Sequence, residues 1–154
     1  MTKKQKPVLY CSAEDVIKLT GVKPTHYGYT IDKDIIEDKK KYKKQSNEQK
    51  EKLDKILNNY IETATGMIDE YINTSFKPKE IPKTVKLVCS LIVSNIIAYT
   101  SVRRDVPVRK KDDWNQDIVK VEIFPDELKE MLDNYVVEET IEKDSISIFA
   151  ITGD

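Results

Sequence analysis

The chain has 154 residues and a formal net charge of −1, with 34% charged residues and only 4 glycines. This composition fits one domain built from helices with solvated faces, and it disfavours a β-sandwich, a barrel or a general nucleic-acid binder. The hydrophobic fraction of 39% is sufficient for a modest core.

The first predicted element is a short helix over residues 12–20. Ser12 stands three positions before Asp15, which is the pattern of an N-cap followed by an acid in the first turn. Gly21 follows the last apolar residue and predicts the end of the helix.

Residues 22–47 are predicted to be a long insertion that is mostly loop. Pro24 and Gly28 interrupt regular structure, whereas the stretch KDIIEDKKKYKKQ, residues 33–45, is compatible with a helical turn. A lysine run of this kind is typical of a solvated face. Phosphate binding is the minority alternative, because Asp34, Glu37 and Asp38 adjoin the lysines.

Two long helices are predicted next, over 48–72 and 83–103. The first shows an apolar residue every three or four positions, which places one stripe on one face. The second is apolar over more than half of its circumference, so it is either central to the domain or part of a subunit contact. Five positions are predicted to be buried core: Leu57, Ile61, Ile68, Val88 and Ile92.

The second long helix is not predicted to cross a membrane, although it lies in the longest apolar run of the chain. Lys86 and Asn95 interrupt that run and would oppose insertion. The N-terminal sequence MTKKQKPVLY is also too short and too polar for a secretory signal.

The C-terminal part is predicted to contain a short strand, a last helix and a tail. Val119, Val121 and Ile123 alternate with charged residues, and Pro125 opens a helix that reaches about residue 136. The tail, 137–154, ends in the alternating stretch SISIFAIT. Two interpretations stay open for it: a strand paired with 118–123, or strand addition to another chain.

Charge is segregated along the chain. Residues 103–111 carry a local charge of +4, and residues 126–154 carry −7. Two solvated segments would explain this pattern, and so would complementary surfaces that orient neighbours in an assembly. The candidate residues at a subunit interface or channel rim are Arg103, Arg104, Arg109, Lys110 and Lys111.

The residue types needed for catalysis are sparse. His26 is the sole histidine and lies in a Pro/Gly/Tyr loop, and the sequence has no glycine-rich phosphate loop. Cys11 and Cys89 lie far apart and share no metal spacing, so a disulfide framework is disfavoured and Cys89 is predicted to be an inert buried thiol. We therefore expect no enzyme activity, no cofactor and no metal.

The middle of the chain carries a more specific pattern. In LNNYIETATGMIDEYINTSFKPKEIPKTVKLVCSLIVSNIIAY, residues 57–99, an apolar stripe with small residues leads through a short loop to Ile-Pro-x-x-Val-Lys-Leu-x-Cys and a long apolar helix. This pattern resembles the head-tail connector (adaptor, or head-completion) proteins of tailed phages and prophages, in particular the YqbG-like branch. The stretch YCSAEDVIKLTGV is similar to the first helix of that family, and the resemblance covers roughly residues 9–136.

The resemblance implies a small helical bundle, in keeping with the mainly α fold of four main helices, residues 1–136, that the sequence pattern predicts. The alternation in the extended tail that follows, 137–154, is what could form a β-strand. It implies a ring of copies, typically twelvefold, beneath the portal protein of the virion. The ring would continue the DNA channel without sequence recognition and offer a platform to the next connector or tail-terminator protein. Assembly would take place in the host cytoplasm. Members of this family often grip the portal with their C-terminal end, which here contains the candidate partner-binding residues Ile146, Ile148, Phe149 and Ile151.

A second function class stays open at this point. The chain could be a monomeric or dimeric cytosolic interaction module that binds nucleic acid through residues 103–111. Salt dependence discriminates the two, since binding through phosphates weakens steeply as salt rises.

Overall fold

A computed structural model describes residues 6–105 and 122–139 of the chain. These residues form a mainly α structure with α1 at Ala13–Thr20, α2 at Lys39–Ile72, α3 at Lys83–Asp105 and α4 at Asp126–Glu130. The prediction of a helical domain is therefore confirmed. The described part contains no strand, whereas most of the predicted strand 119–123 and most of the tail lie outside it.

Helix α1 is capped at both ends by the residues that the sequence predicts. The Ser12 hydroxyl accepts a hydrogen bond from the Asp15 amide at 3.1 Å, and the Asp15 carboxylate accepts one from the Ser12 amide at 3.0 Å. Gly21 adopts a left-handed φ of 66° and donates its N–H to the Ile17 carbonyl at 2.8 Å. Glycine takes this conformation without the steric cost that a Cβ adds.

Helix α2 begins at Lys39, so the prediction that 22–47 is mostly loop was wrong for residues 39–47. The Asp38 side chain caps the helix by accepting from the amides of Lys40 and Lys41. The loop before α2 is hydrogen-bonded to the part of the helix at residues 39–47. Gln45 exchanges two hydrogen bonds with Asp32, at 3.0 and 3.1 Å.

Helices α2 and α3 pack against each other, and the short connection 73–82 makes them an antiparallel hairpin. Helix α1 packs on both of them. The five residues predicted to be core are all fully buried, with 0% exposure: Leu57, Ile61, Ile68, Val88 and Ile92.

The last helix is shorter than predicted, because α4 ends at Glu130 and a single 3₁₀ turn, Asp133–Tyr135, follows. The hydrogen bonding changes to the 3₁₀ pattern here, because the Leu132 amide donates to the Lys129 carbonyl, three residues back, at 2.8 Å. This turn lets the chain return to the end of α2, where the Val137 amide donates to the Ile72 carbonyl at 2.8 Å. A continued α-helix would carry Val137 past that carbonyl, which otherwise lacks an intrahelical partner.

Candidate subunit interface

Helix α3 has a buried face and an outward face on which the residues from Leu87 to Ser101 carry no charge, whereas Lys83, one turn before Leu87, is charged and exposed. The outward residues recur every four and three positions and therefore share one side of the helix. Leu87 is 46% exposed, Ala98 is also exposed, and the others are half-buried. We name this face the outer stripe: Leu87, Leu91, Ser94, Ala98 and Ser101.

The outer stripe continues into a shallow depression between α1 and α3. Leu19 of α1 is 46% exposed beside Leu87, and Asp15, Lys18 and Lys86 stand round the depression, whose volume is about 410 Å³. An open apolar floor with a charged rim is typical of a protein contact surface, whereas small ligands favour enclosed pockets.

The first two turns of α2 form a basic patch. Residues 39–44, called here the lysine block, are all exposed and contain five lysines and Tyr42, which is 42% exposed. Lys41 forms an ion pair with Asp38 at 3.7 Å. Because the hairpin is antiparallel, the lysine block and the C-terminal end of α3, with Arg103 and Arg104, share one end of the domain.

The acidic segment, residues 122–139, runs from the middle of α3 towards the other end of the hairpin. The Asn95 side chain donates to the Ile123 carbonyl at 3.2 Å, and the Asn73 side chain donates to the Val137 carbonyl at 3.3 Å. Seven acids lie in the segment, against Lys129. The domain therefore presents basic and acidic surfaces in different places, as a head-to-tail contact between copies requires.

The structure describes only two of the site candidates predicted from the sequence, and of these two only the backbone. The backbones of Arg103 and Arg104 lie in the last turn of α3, and their side chains lie outside the described residues. The remaining candidates also lie outside them: Arg109, Lys110, Lys111, Ile146, Ile148, Phe149 and Ile151. Sequence reasoning did not identify the outer stripe as a face, although the even spread of apolar residues round α3 was its signal.

The two cysteines meet in the core, which sequence reasoning did not foresee. Their Sγ atoms lie 3.3 Å apart, and Cys89 is fully buried as predicted. The hydrogen bond to Cys11 and burial raise the pKa of the Cys89 thiol. The hydrogen bond with Cys89 lowers the pKa of the Cys11 thiol, and Cys11 is the more exposed of the two residues, at 7%.

The sole histidine lies in the loop before α2. The His26 ring accepts a hydrogen bond from the Lys23 amide at 3.1 Å and so closes a 3₁₀ turn. Within 6–105 and 122–139, no three acids, histidines or cysteines are grouped to hold a metal ion.

Residues Lys83–Ser101 of α3 are long and apolar enough to cross a membrane by length and composition. Core helices of water-soluble proteins meet the same criterion. Val85, Val88 and Ile92 are fully buried within the protein itself. The expectation that α3 does not enter a membrane stays a prediction.

No protein-family profile, curated protein or solved structure matches the chain.

Proposed function

We propose that the chain is a structural virion protein, a head-tail connector that forms a ring beneath the portal, continues the DNA channel and joins the capsid to the tail. The observation that carries the proposal is the outer stripe of α3. A face without charge, about 20 Å long at 1.5 Å per residue, is unexpected on a chain with 34% charged residues unless another protein covers it.

The contact between copies joins unlike surfaces, because a closed ring with more than two members repeats one head-to-tail interface. The outer stripe and Leu19 supply its apolar part. Covering one leucine side chain contributes about 1.5–3 kcal/mol before the ordering cost. The lysine block of one copy and the acidic segment of the next supply complementary charge that orients the contact.

The portal contact is assigned to the tail, in keeping with the family resemblance. Deleting residues 144–154 should leave a folded chain, because the buried core of the described residues lies between Tyr10 and Leu132. The shortened chain should keep its helical circular dichroism and its melting temperature, and it should no longer join DNA-filled heads. Loss of the folded state on deletion would make the tail part of the core.

A genetic experiment tests the proposed function. Deleting the gene from the genome that encodes it should leave DNA-filled heads and free tails that accumulate separately, as seen by electron microscopy. Intact tailed particles in the deletion strain would contradict the proposal.

The role of the outer stripe in assembly is tested by supplying variants of the gene to the deletion strain. Leu87→Lys should fail to restore joined particles, because it places a charge in the covered face. Ile36→Lys is the matched control: Ile36 is 57% exposed and lies outside the outer stripe, so this variant should restore assembly.

The lysine block favours a second candidate function, nucleic-acid binding by an interaction module through one end of the domain. Arg103 and Arg104, whose backbones lie in the last turn of α3, begin the basic stretch 103–111 that the sequence suggests for the same role. This function predicts that the isolated chain binds duplex DNA with an affinity that falls steeply with salt, by a logarithmic slope of about −0.9 per phosphate contact. Replacing Lys43 and Lys44 by glutamate should then reduce both the affinity and the slope. A ring subunit should bind duplex DNA poorly when isolated.

A further inference from the structure

We propose that Cys11 and Cys89 are an oxidisable pair that closes into a reversible disulfide and fastens the N-terminal segment to α3. The observation is the 3.3 Å distance between two sulfur atoms from parts of the chain that are 78 residues apart. A disulfide bond is about 2.05 Å long, so the sulfur atoms must approach by a little more than 1 Å, which small side-chain rotations can supply.

Hydrogen bonds on either side of Cys11 fix its position relative to Cys89. The Tyr10 amide, next to Cys11, donates to the Thr65 hydroxyl at 3.2 Å, and that hydroxyl lies 3.9 Å from the Cys89 sulfur. The capping box of α1 starts at the next residue, Ser12. The backbone on both sides of Cys11 is therefore fixed, and the two thiols face each other without a large motion.

The depression between α1 and α3 lies beside the pair. Ser90 lines the depression between α1 and α3, and its hydroxyl lies close enough to Cys11 to help lower the pKa of that thiol. Cys11 is the more exposed of the two residues and its pKa is lowered, so the Cys11 thiolate is the nucleophile that attacks the oxidant.

The reaction with hydrogen peroxide balances in two steps. The Cys11 thiolate attacks one peroxide oxygen, the O–O bond breaks, and hydroxide leaves while Cys11 becomes a sulfenic acid. The Cys89 sulfur then attacks the Cys11 sulfur, the S–O bond breaks, and water leaves with the proton of Cys89. Two thiols and one peroxide give one disulfide and two waters, and a dithiol reverses the bond.

The disulfide would fix α1 against α3, and these two helices line the depression that carries Leu19 and Leu87. On the proposed connector function, the chain assembles in a reducing cytoplasm and then leaves the cell in the particle, where thiols are no longer kept reduced. That timing rests on the proposed function, whereas the bond itself does not. An experiment on the isolated full-length chain therefore tests the bond alone.

The experiment exposes the folded chain to hydrogen peroxide and measures its intact mass, the thiols that remain for alkylation and its melting temperature. The expected product is a monomer lighter by two hydrogen atoms, with a peptide that joins Cys11 to Cys89. Its melting temperature should rise by about 5–15 °C, because the bond closes a long loop of the unfolded chain, and dithiothreitol should reverse the rise.

Two variants provide the controls. Cys11→Ser should show neither the mass loss nor the rise in melting temperature. Cys89→Ser should leave a sulfenic acid at Cys11 that dimedone traps, provided that circular dichroism shows a folded variant. The result for the wild-type chain tests the disulfide whether or not this variant folds. The proposal is overturned if both thiols of the folded wild-type chain stay free, if Cys11 is oxidised without joining Cys89, or if the disulfide links two chains.

Discussion

The hydroxyl of Tyr10 donates a hydrogen bond to the carboxylate of Asp69 on α2, and it accepts one from the Phe76 amide at 2.9 Å. Tyr10 is 1% exposed, and its ring packs edge-on against Phe76 with centroids 5.8 Å apart. One side chain thus joins the N-terminal segment, the last turns of α2 and the connection to α3.

Tyr10→Phe should therefore destabilise the domain by about 1–3 kcal/mol, because it leaves both the Asp69 carboxylate and the Phe76 amide without this partner. Chemical denaturation measures the change. Tyr42→Phe is the matched control, since Tyr42 is 42% exposed and its hydroxyl is expected to contribute close to nothing. Equal stability of the two variants would show that the Tyr10 hydroxyl does not hold these segments together.

The same tyrosine predicts a loss of stability at alkaline pH. Burial first, and then the hydrogen bond to Asp69, raises the pKa of Tyr10 to about 12, compared with about 10 in an unfolded chain. Because the folded pKa is the higher one, the contribution is complete below pH 10 and is lost as the pH rises towards 12. The difference in unfolding free energy between wild type and Tyr10→Phe should shrink across that window. A difference that stays constant or grows would contradict the assignment.

Ile92→Ala should cost about 2–5 kcal/mol of unfolding free energy, since Ile92 is fully buried where α3 packs on its neighbours. Leu87→Ala on the outward face of the same helix should cost much less in the isolated chain. Thermal or denaturant unfolding of the two variants compares the faces of α3 directly, and a cost below about 0.5 kcal/mol for Ile92→Ala would mean that the buried face is wrongly assigned.

Lys40→Glu should stabilise the isolated domain by about 0.3–1 kcal/mol. Lysines at the start of α2 oppose the positive end of the helix dipole, and Lys40 also repels Lys44 one turn later. A glutamate reverses both effects. Denaturant unfolding at low and high salt measures the gain, which should shrink as salt screens it. A loss of stability would show that Lys40 has a favourable role within the fold.

The sequence predicted the parts of the fold that depend on local signals. The capping pair Ser12 and Asp15 and the stripe from Leu53 to Tyr71 each act over a few residues, and they located α1 and most of α2. The first part of α2 was missed because no apolar stripe marks residues 39–47. The contacts that this part of α2 makes are the Asp38 cap and hydrogen bonds to the preceding loop, such as Gln45 with Asp32, which no sequence periodicity marks.

The thiol pair was missed for a different reason. Cys11 and Cys89 are 78 residues apart and meet only because α1 lies across α3. Neither residue carries a local signal of that contact. The division of α3 into a covered and an uncovered face likewise depends on where α1 and α2 pack, which periodicity alone does not reveal in a helix that is apolar nearly all round.

The most direct test of the connector function is a cryo-electron microscopy map of the particle produced by the genome that encodes this chain. We expect a ring of copies at the head-tail junction, in which Leu87 and Leu91 on the outer stripe of each α3 contact a neighbouring copy. The account is contradicted if the chain is absent from that junction, or if the ring is present and the outer stripe faces solvent.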